Sequence, residues 1–350
     1  MDSETLSMIW FLLLGVLLAG YAVLDGFDLG VGILHPFIPQ TEDEKRLSMN
    51  SIGPLWDGNE VWLVTFGGAM FAMFHEAYAT IFSGFYTAFM LLLFALIFRA
   101  VSLEFRTKVT QPYRKVWDWG FFIGSFLATL LFGVATGNAI LGVPMTAKFE
   151  MQIGVLGQLN PYAVAVGLLT VVLFAMHGAI YLYLKTEDDL QERCRKAVWR
   201  LYFAFIALFI VVTGWTLFAV PRATQNLADN WWMWAVPVLN VLAIANISRG
   251  MALGKERMAF FSSCCAILAF VFLLGVAMFP HMVPGRQVGE LGLMADGTVQ
   301  NLSMFQASSS DLTMKIGLII VVLGMPCVLA YTAIIYWTFR GKVKLDTHSY

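Results

Sequence analysis

The sequence predicts an all-α polytopic membrane protein with nine transmembrane helices, and three observations lead to this prediction. The 350 residues are 59% hydrophobic and 13% charged, whereas soluble domains carry about 25% charged residues. Apolar runs of about 20 residues, the length that crosses a bilayer, occur nine times. Lysine and arginine are divided unequally between the two sides of these runs. We therefore expect residues 1–350 to form a single integral membrane domain.

Each apolar run is expected to form one membrane-spanning helix. In chain order the runs are approximately 7–33, 58–74, 77–99, 117–141, 161–184, 199–220, 231–249, 258–280 and 313–338. The sequence SSSD, residues 308–311, precedes the last run and is typical of a helix N-cap.

The loop charges give the orientation of the helices. Of the 22 lysines and arginines, 18 lie on one side of the runs and 4 on the other. Because positively charged loops stay in the cytoplasm, the N-terminus is predicted to lie outside and the C-terminus in the cytoplasm. The net charge is −1 and there is no basic block, so membrane lipid is expected around this chain and nucleic acid is not expected as a partner.

Two aspartates, Asp25 and Asp28, lie in the first run within YAVLDGFDLGVGIL. They share one helix face, and a charge at mid-membrane costs about 2.5 to 3.5 kcal/mol. Gly26 and Gly30 form a small-xxx-small face, so this turn is expected to pack against another helix. A carboxyl group that alternates between neutral and charged forms can carry a proton. The structural alternative is that Asp28 snorkels and Asp25 bonds a polar residue of a neighbouring helix.

A second acidic motif, GPLWDGNEVWLV, opens the second run with Asp57 and Glu60 three residues apart. One interpretation is a capping box, in which Asp57 accepts from backbone N–H groups and Glu60 bonds back. The other interpretation is functional, because consecutive antiparallel helices bring Asp57 and Glu60 to the depth of Asp25 and Asp28. The four acids would then form a vestibule that passes protons inward from the cytoplasm.

Two further polar residues, Arg99 and His177, have two interpretations each. Arg99 is expected to close the third helix, where it either pairs with the carboxylates or snorkels. His177 is the only histidine well inside a predicted span, so a bis-histidine haem site lacks its second ligand, whereas a His and Met pair stays open. The sequence has no phosphate loop, nucleophile elbow, HExxH or CxxC motif. We therefore expect no catalytic residue and no metal site in this chain.

Several longer motifs resemble subunit II of cytochrome bd-type ubiquinol oxidases, and the resemblance extends over essentially the whole chain. The motifs are GYAVLDGFDLGVGIL, NSIGPLWDGNEVWLV, FSGFYTAF, WDWGFFIGSF, GVATGN and AMFPHMVP. The resemblance implies two four-helix bundles and one peripheral ninth helix, in the orientation that the loop charges predict.

The resemblance also implies a terminal respiratory oxidase of the bacterial cytoplasmic (inner) membrane, in which quinol is oxidised and O2 is reduced to water. In this family low-spin haem b, high-spin haem b, haem d and the quinol site belong to subunit I. Subunit II resembles a scaffold that forms a heterodimer with subunit I, and none of these cofactors is expected in it. A structural quinone or lipid within its own bundle and a small accessory subunit are further candidates.

The resemblance implies a role for individual residues where a position of this sequence matches a site residue of the family. Trp56 and Asp57 match the Trp-Asp pair that lines the family's cytoplasmic proton channel at the subunit interface, and Asp25 and Asp28 match the paired aspartates of its DGFD motif. Glu60 falls where the family has Gln or Glu, so the resemblance does not imply a titrating group there. The predicted proton path consists of Asp25, Asp28, Trp56, Asp57, Asn59 and Glu60, with Arg99 as their charge partner.

Two other functions agree with intramembrane carboxylates. A proton-coupled transporter should have a site at the membrane midplane between broken helices of two repeats, whereas Asp25 and Asp28 are predicted to lie nearer one face. A purely structural scaffold predicts that Asp57→Asn leaves oxidase turnover unchanged.

Overall fold

The computed structural model describes residues 2–294 and 297–345, so residues 1, 295–296 and 346–350 of the predicted single domain lie outside the described part. The helices in chain order are α1 (Ser3–Leu34), α2 (Glu42–Ile52), α3 (Trp56–Met73), α4 (His75–Gly84), α5 (Tyr86–Arg106), α6 (Gln111–Leu141), α7 (Val155–Gln158), α8 (Pro161–Lys185), α9 (Asp188–Ala219), α10 (Arg222–Asp229), α11 (Ala235–Ala252), α12 (Glu256–Met278), α13 (Met304–Ala307) and α14 (Asp311–Thr338). Two short antiparallel strands, β1 (His281–Val283) and β2 (Leu302–Ser303), pair between α12 and α13.

Within the described residues, eight helices are long and apolar enough to cross a membrane. They are α1, α5, α6, α8, α9, α11 with the 3-10 turn before it, α12 and α14. The predicted run 58–74 corresponds to α3, whose first two turns carry Asp57, Asn59 and Glu60 and are therefore polar. The multi-helix membrane architecture is confirmed, and the count of nine spans stays a prediction.

The predicted run 77–99 is wrong in its limits because the chain breaks inside it. A separate short helix, α4, ends at Gly84, and α5 begins after Phe85, whose dihedral angles (φ −99°, ψ 21°) are not those of a regular helix. Met151 packs against Gly84 so closely that a Cβ there would lie 2.2 Å from its sulfur. Contact with a distant loop therefore accompanies this break, which hydropathy does not reveal.

Three other helices extend beyond their predicted apolar runs. α5 continues past Arg99 to Arg106, so Arg99 does not close the helix as predicted. α6 begins at Gln111 and α9 at Asp188, because polar residues continue both helices outside the apolar core. The run predicted from 231 begins with a 3-10 turn over Trp231–Trp234 before α11 starts.

The amphipathic helix α2 was not predicted, and its start has a complete capping box. The Thr41 hydroxyl accepts from the Glu44 N–H at 3.2 Å, and the Glu44 carboxylate accepts from the Thr41 N–H at 3.2 Å. Burial acts to raise the pKa of Glu44, but the backbone N–H of Gln40 and the guanidinium of Arg193 lower it overall. The N-cap predicted for the last run is confirmed, since the Ser310 hydroxyl accepts from the Thr313 N–H.

The bundle has a central helix and an outer helix. Most of the apolar window of α8 is buried inside the chain, whereas none of the equivalent window of α14 is. α2 packs at the end of the bundle where α1 terminates, and β1, β2 and α13 pack at the opposite end beside the start of α1. We name these the α2 end and the sheet end.

Glycines bring α1 and α8 into backbone contact, as the small-xxx-small pattern predicted. A Cβ at Gly30 would lie 1.9 Å from the carbonyl oxygen of Phe174, and a Cβ at Gly178 would lie 2.4 Å from the carbonyl carbon of Gly30. Gly26 faces the Phe174 ring. This crossing fixes the segment that carries Asp25 and Asp28 against the centre of the protein.

Replacing Gly30 with alanine is expected to destabilise the protein by at least about 1–3 kcal/mol, the cost of overpacking a tight contact. The matched control is Gly15→Ala in the same helix, because nothing lies within 4 Å of a Cβ at that position. The measurement is the midpoint of thermal inactivation in detergent. Equal midpoints for the two variants would contradict the α1–α8 crossing.

Candidate functional site

The centre of the candidate site is an ion pair between α1 and α5. The two terminal nitrogens of the Arg99 guanidinium donate to the two carboxylate oxygens of Asp25 at 2.9 and 2.6 Å. Both side chains are fully buried. Such a two-point contact is the strongest geometry for an Arg–carboxylate pair. Arg99 therefore does not snorkel to the membrane surface.

The second aspartate, Asp28, bonds to the neighbouring helix α3. The Asn59 amide donates to one carboxylate oxygen of Asp28 at 2.7 Å and to the carbonyl oxygen of Leu24 at 3.2 Å. The Tyr336 hydroxyl of α14 donates to the Asn59 oxygen at 3.1 Å. The other carboxylate oxygen of Asp28 is buried and has no hydrogen-bond partner among the described residues. Asp28 is therefore held inside the protein and does not snorkel.

The α3 motif joins this cluster to the surface. Glu60 lies 3.4 Å from Arg99 and is partly exposed, and Asp57, one turn earlier, is exposed. The capping-box interpretation of Asp57 and Glu60 is wrong: α3 begins at Trp56, and its N-cap Leu55 makes no side-chain cap. Asp57 lies inside the first helical turn, so its side chain is not placed at the N-cap position. Trp56 is half-buried and packs against the main apolar core.

The cluster combines buried and exposed carboxyl groups with one arginine. Asp25 and Glu60 contact Arg99, Asp28 lies one turn from Asp25 on α1, and the exposed Asp57 lies one turn from Glu60 on α3. The arginine balances the negative charge of Asp25, so a further carboxyl group in the cluster is electrically balanced while it carries its proton and adds one uncompensated negative charge when it releases it.

His177 is engaged through both of its ring nitrogens. Nδ1 lies 2.7 Å from the Ser263 hydroxyl and Nε2 lies 3.1 Å from the carbonyl oxygen of Val23. The ring is stacked on Phe260 at a centroid distance of 5.3 Å. A haem ligand needs a nitrogen free to face the iron, so the geometry of His177 fits a link between three helices and does not fit haem ligation.

A second charged network lies at the α2 end and was not predicted from the sequence. Asp118 of α6 bonds to His35 at 2.9 Å, to Lys45 of α2 at 2.6 Å and to Arg106 of α5. Arg106 also contacts Glu42 of α2 at 3.1 Å. The network ties α2, α5 and α6 to the end of α1.

Burial lowers the pKa of His35, and its hydrogen bond to Asp118 opposes this shift only in part. His35 is therefore neutral at pH 7, with one nitrogen that donates and one that accepts. The available sequence signal was Asp118 in the motif WDWG, an acid at the start of an apolar run. Its partners lie up to 83 residues away, and no spacing rule connects them.

An apolar cavity of about 650 Å³ opens between α1, α3, α4, α5, α6 and α12. Its walls are almost entirely apolar and rich in aromatic rings. They include Phe11, Phe66, Phe82, Phe89 and Phe132. The cavity has the volume of a small-molecule site, but its lining offers few polar groups that would orient a polar head.

Comparisons with known proteins give one consistent family. The profile of the family described as cytochrome bd terminal oxidase subunit II matches residues 6–339. The chain is similar to the cytochrome bd-I ubiquinol oxidase subunit 2 of Escherichia coli K12, with 34% identity in an alignment 386 positions long that covers 99% of both chains. It is also similar to the cytochrome bd ubiquinol oxidase subunit 2 of Bacillus subtilis, with 32% identity and 96% of both chains covered.

The fold has a relative of known structure. A chain of the bd oxidase from Geobacillus thermodenitrificans superposes with a TM-score of 0.77 over 96% of this chain and 98% of that chain, at 14% identity. The spanning helices and the relatives together identify a multi-pass protein of the inner membrane. Because the family profile covers nearly the whole sequence and the E. coli relative aligns end to end, the chain belongs to the cytochrome bd terminal oxidase subunit II family.

Proposed function

We propose that this chain is the haem-free subunit of a quinol oxidase, that it supports the haem-bearing subunit I, and that it delivers cytoplasmic protons for the reduction of O2 to water. Its membership of the subunit II family supports a place in a terminal oxidase complex. The unequal loop charges support an α2 end in the cytoplasm and an N-terminus outside. Two four-helix bundles and a peripheral α14 are part of the same proposal.

The buried cluster of Asp25, Asp28, Glu60 and Arg99 is the observation that carries proton delivery. It is connected to the surface through Glu60 and lies next to the exposed Asp57. Asp57 collects a proton from water, Glu60 receives it, and Asp28 passes it on through its unpartnered oxygen. A dedicated path is needed because bulk water does not have direct access to carboxyl groups buried among packed helices.

The reaction itself is assigned to the partner. Low-spin haem b, high-spin haem b and haem d, held by subunit I, supply the electron transfer from quinol and the binding of O2. The residues of this chain hold and move protons and orient the partner's surface. His177, the one histidine considered as a haem ligand, has both nitrogens bonded within this chain.

The alternative of a proton-coupled transporter is not favoured. A transporter binds its substrate at the midplane between broken helices. Here the carboxylate cluster lies in the half of α1 next to the α2 end, and α1 is one unbroken helix from Ser3 to Leu34.

Replacing Asp57 with asparagine is expected to lower quinol-dependent O2 consumption by about 10²-fold or more, the contribution typical of a positioned acid–base group. The amide keeps the size of the side chain but cannot carry a proton. The measurement is turnover per haem d in the purified complex. Asp43→Asn is the control, because Asp43 is also exposed at the α2 end but lies outside the cluster. Unchanged turnover in Asp57→Asn would refute Asp57 as the entry of the proton path.

We also propose that the apolar cavity holds a structural quinone or lipid by its hydrocarbon tail. Its apolar walls favour burial of a hydrocarbon or isoprenoid chain, because each buried CH2 group contributes about 0.8 kcal/mol of favourable transfer free energy. The only polar side chains among its lining residues are Tyr86, Thr136 and Asn138, and both Thr136 and Asn138 bond to backbone carbonyls.

Filling the cavity is expected to remove this molecule. Gly67 lines the cavity and has nothing within 4 Å of a Cβ, so Gly67→Phe places a ring in the empty space. Mass spectrometry of solvent extracts from the purified complex should show a large loss of bound quinone or lipid per haem. Gly214→Phe on α9 is the control, since Gly214 also has open space around it but does not line the cavity. Equal amounts in both variants would refute the cavity as the binding site.

A further inference from the structure

A second row of polar residues leads from the α2 end toward the carboxylate cluster along the seam between α1, α5 and α6. On α1 and at its C-cap, the row consists of Asp25, Asp28 and His35, with Gly32 between Asp28 and His35. At 3.6 residues per turn these four positions lie within about 80° of one another around the helix axis. The opposite face of α1, with Gly26 and Gly30, packs on α8.

The same arrangement occurs on α5 and α6, with polar residues seven positions apart. On α5 they are Arg99 and Arg106, and on α6 they are Asp118 and Ser125. Seven residues are two helical turns, or about 10.5 Å along the axis. The seam therefore has an inner layer around Arg99 and an outer layer around Asp118, about two turns apart.

Glycines bring the three helices together between these layers. A Cβ at Gly32 would lie 2.0 Å from the Ser125 hydroxyl oxygen, and a Cβ at Gly124 would lie 2.9 Å from the backbone nitrogen of Arg99. Phe121 contacts Gly32 and packs edge-on against the His35 ring at 5.5 Å. The passage between the layers is therefore narrow.

Four buried polar atoms along this seam have no hydrogen-bond partner among the described residues. They are His35 Nδ1, Ser125 Oγ, Arg99 Nε and one carboxylate oxygen of Asp28. Buried polar groups in proteins are nearly always satisfied, and ordered water is the usual partner where protein atoms are absent. Unpartnered atoms therefore lie in both layers, and each of them needs a partner that ordered water can supply.

We propose that this seam is a second proton route into the cluster, formed entirely within this chain and running from Asp118 and His35 through ordered water and Ser125 to Asp28. The inference rests on the proposed role in proton delivery. It adds a route that does not pass through Asp57 or the surface of α3.

The seam has groups that can carry out each transfer. Lys45 of α2 contacts Asp118, and Glu42 of α2 contacts Arg106, which also binds Asp118, so both residues link Asp118 to the partly exposed surface of the α2 end. His35 accepts a proton on one ring nitrogen and releases one from the other. Water passes that proton to the Ser125 hydroxyl oxygen, and the original Ser125 proton moves to Asp28. One proton reaches Asp28. His35 then carries its proton on the other ring nitrogen, so it exchanges tautomers, and the Ser125 hydroxyl rotates back, before the next proton is transferred.

The test uses the complete oxidase, with subunit I and its haems, in a single turnover of the reduced complex with O2. A pH-sensitive dye follows proton uptake, and haem absorbance follows electron transfer in the same sample. The variants are Ser125→Ala, Asp57→Asn and the combination of both. Thr129→Val is the control, because the Thr129 hydroxyl lies one turn farther along α6 and bonds only to the backbone oxygen of Ser125 at 2.7 Å.

Proton uptake in the double variant is expected to be about tenfold slower than in Asp57→Asn alone, which corresponds to about 1.4 kcal/mol. Equal rates in these two variants, with normal haem content, would overturn the second route and leave the Asp57 route standing. Slower uptake in Ser125→Ala with normal uptake in Asp57→Asn would support the seam and refute the Asp57 route. Normal uptake in all variants would refute both.

A second variant keeps the proposal testable if Ser125→Ala does not assemble. His35→Gln retains a donor toward Asp118 but cannot accept a proton on one side and release it on the other. In the Asp57→Asn background it is expected to slow proton uptake as Ser125→Ala does. Unchanged uptake would overturn the role of His35 in the route.

Discussion

Replacing Arg99 with methionine is expected to destabilise the protein by about 3–5 kcal/mol, because it leaves the Asp25 carboxylate buried without its partner. Methionine retains most of the length of the side chain, so the loss is mainly that of charge and of two hydrogen bonds. The measurement is the midpoint of thermal inactivation of the purified complex, together with the yield of complex that retains its haems.

Two further variants of the Asp25–Arg99 pair separate the effect of charge from that of shape, and a third variant elsewhere is the control. Arg99→Lys retains the charge but cannot contact both oxygens of Asp25, so an intermediate loss is expected. The double variant Asp25→Leu with Arg99→Met removes both charges and should recover much of the stability. Arg340→Met is the control, because Arg340 is exposed and stacks on Trp337. If Arg99→Met is as stable as Arg340→Met, the buried pair does not support the fold.

Replacing Asp118 with alanine is expected to cause a loss of similar size, again about 3–5 kcal/mol. The change leaves the buried Arg106 without its shared carboxylate and releases Lys45 from its 2.6 Å contact. Because Lys45 belongs to α2, this helix should detach from α6. The measurement is limited proteolysis between residues 36 and 55, followed by mass spectrometry.

The control for Asp118 is an acid on the same end of the protein that makes only a weak pair. Asp43 is 76% exposed and lies 3.9 Å from Arg46, so Asp43→Ala should change stability by less than about 0.5 kcal/mol. A protease-resistant α2 in Asp118→Ala would show that the apolar contacts of α2 are sufficient to hold it.

Much of the fold could be predicted because membrane helices are specified locally. A run of apolar residues must form a helix in lipid wherever it occurs, since its backbone groups have no other partners. The capping motif at Ser310 and the Gly26–Gly30 face are local signals of the same kind, and both predicted contacts that the structure contains. The boundary near Phe74 was predicted by the gap between the runs 58–74 and 77–99, whereas the break at Phe85 was not predictable, because it accompanies packing with the distant Met151.

The site was predictable only where its residues lie close in sequence. Asp25, Asp28 and Glu60 were identified from two short motifs, and the structure brings all three to Arg99. The Asp118 network was missed because His35, Lys45 and Arg106 come from three other segments, each of which resembles an ordinary charged loop. The false capping box shows the reverse error: Asp57 and Glu60 have the correct spacing, but the N-cap is Leu55, two residues before Asp57.

Asp25 and Arg99 are 74 positions apart in the sequence, and this separation constrains the order in which the protein can enter the membrane. A ribosome adds about 5–20 residues per second, so α1 exists for several seconds before α5 emerges. During that interval its carboxylate has no arginine to pair with. The insertion machinery must therefore keep α1 out of the lipid core, or keep it shielded, until α5 arrives. Variants of Arg99 should accumulate α1 beside the insertion machinery, where site-specific crosslinking of nascent chains would detect it.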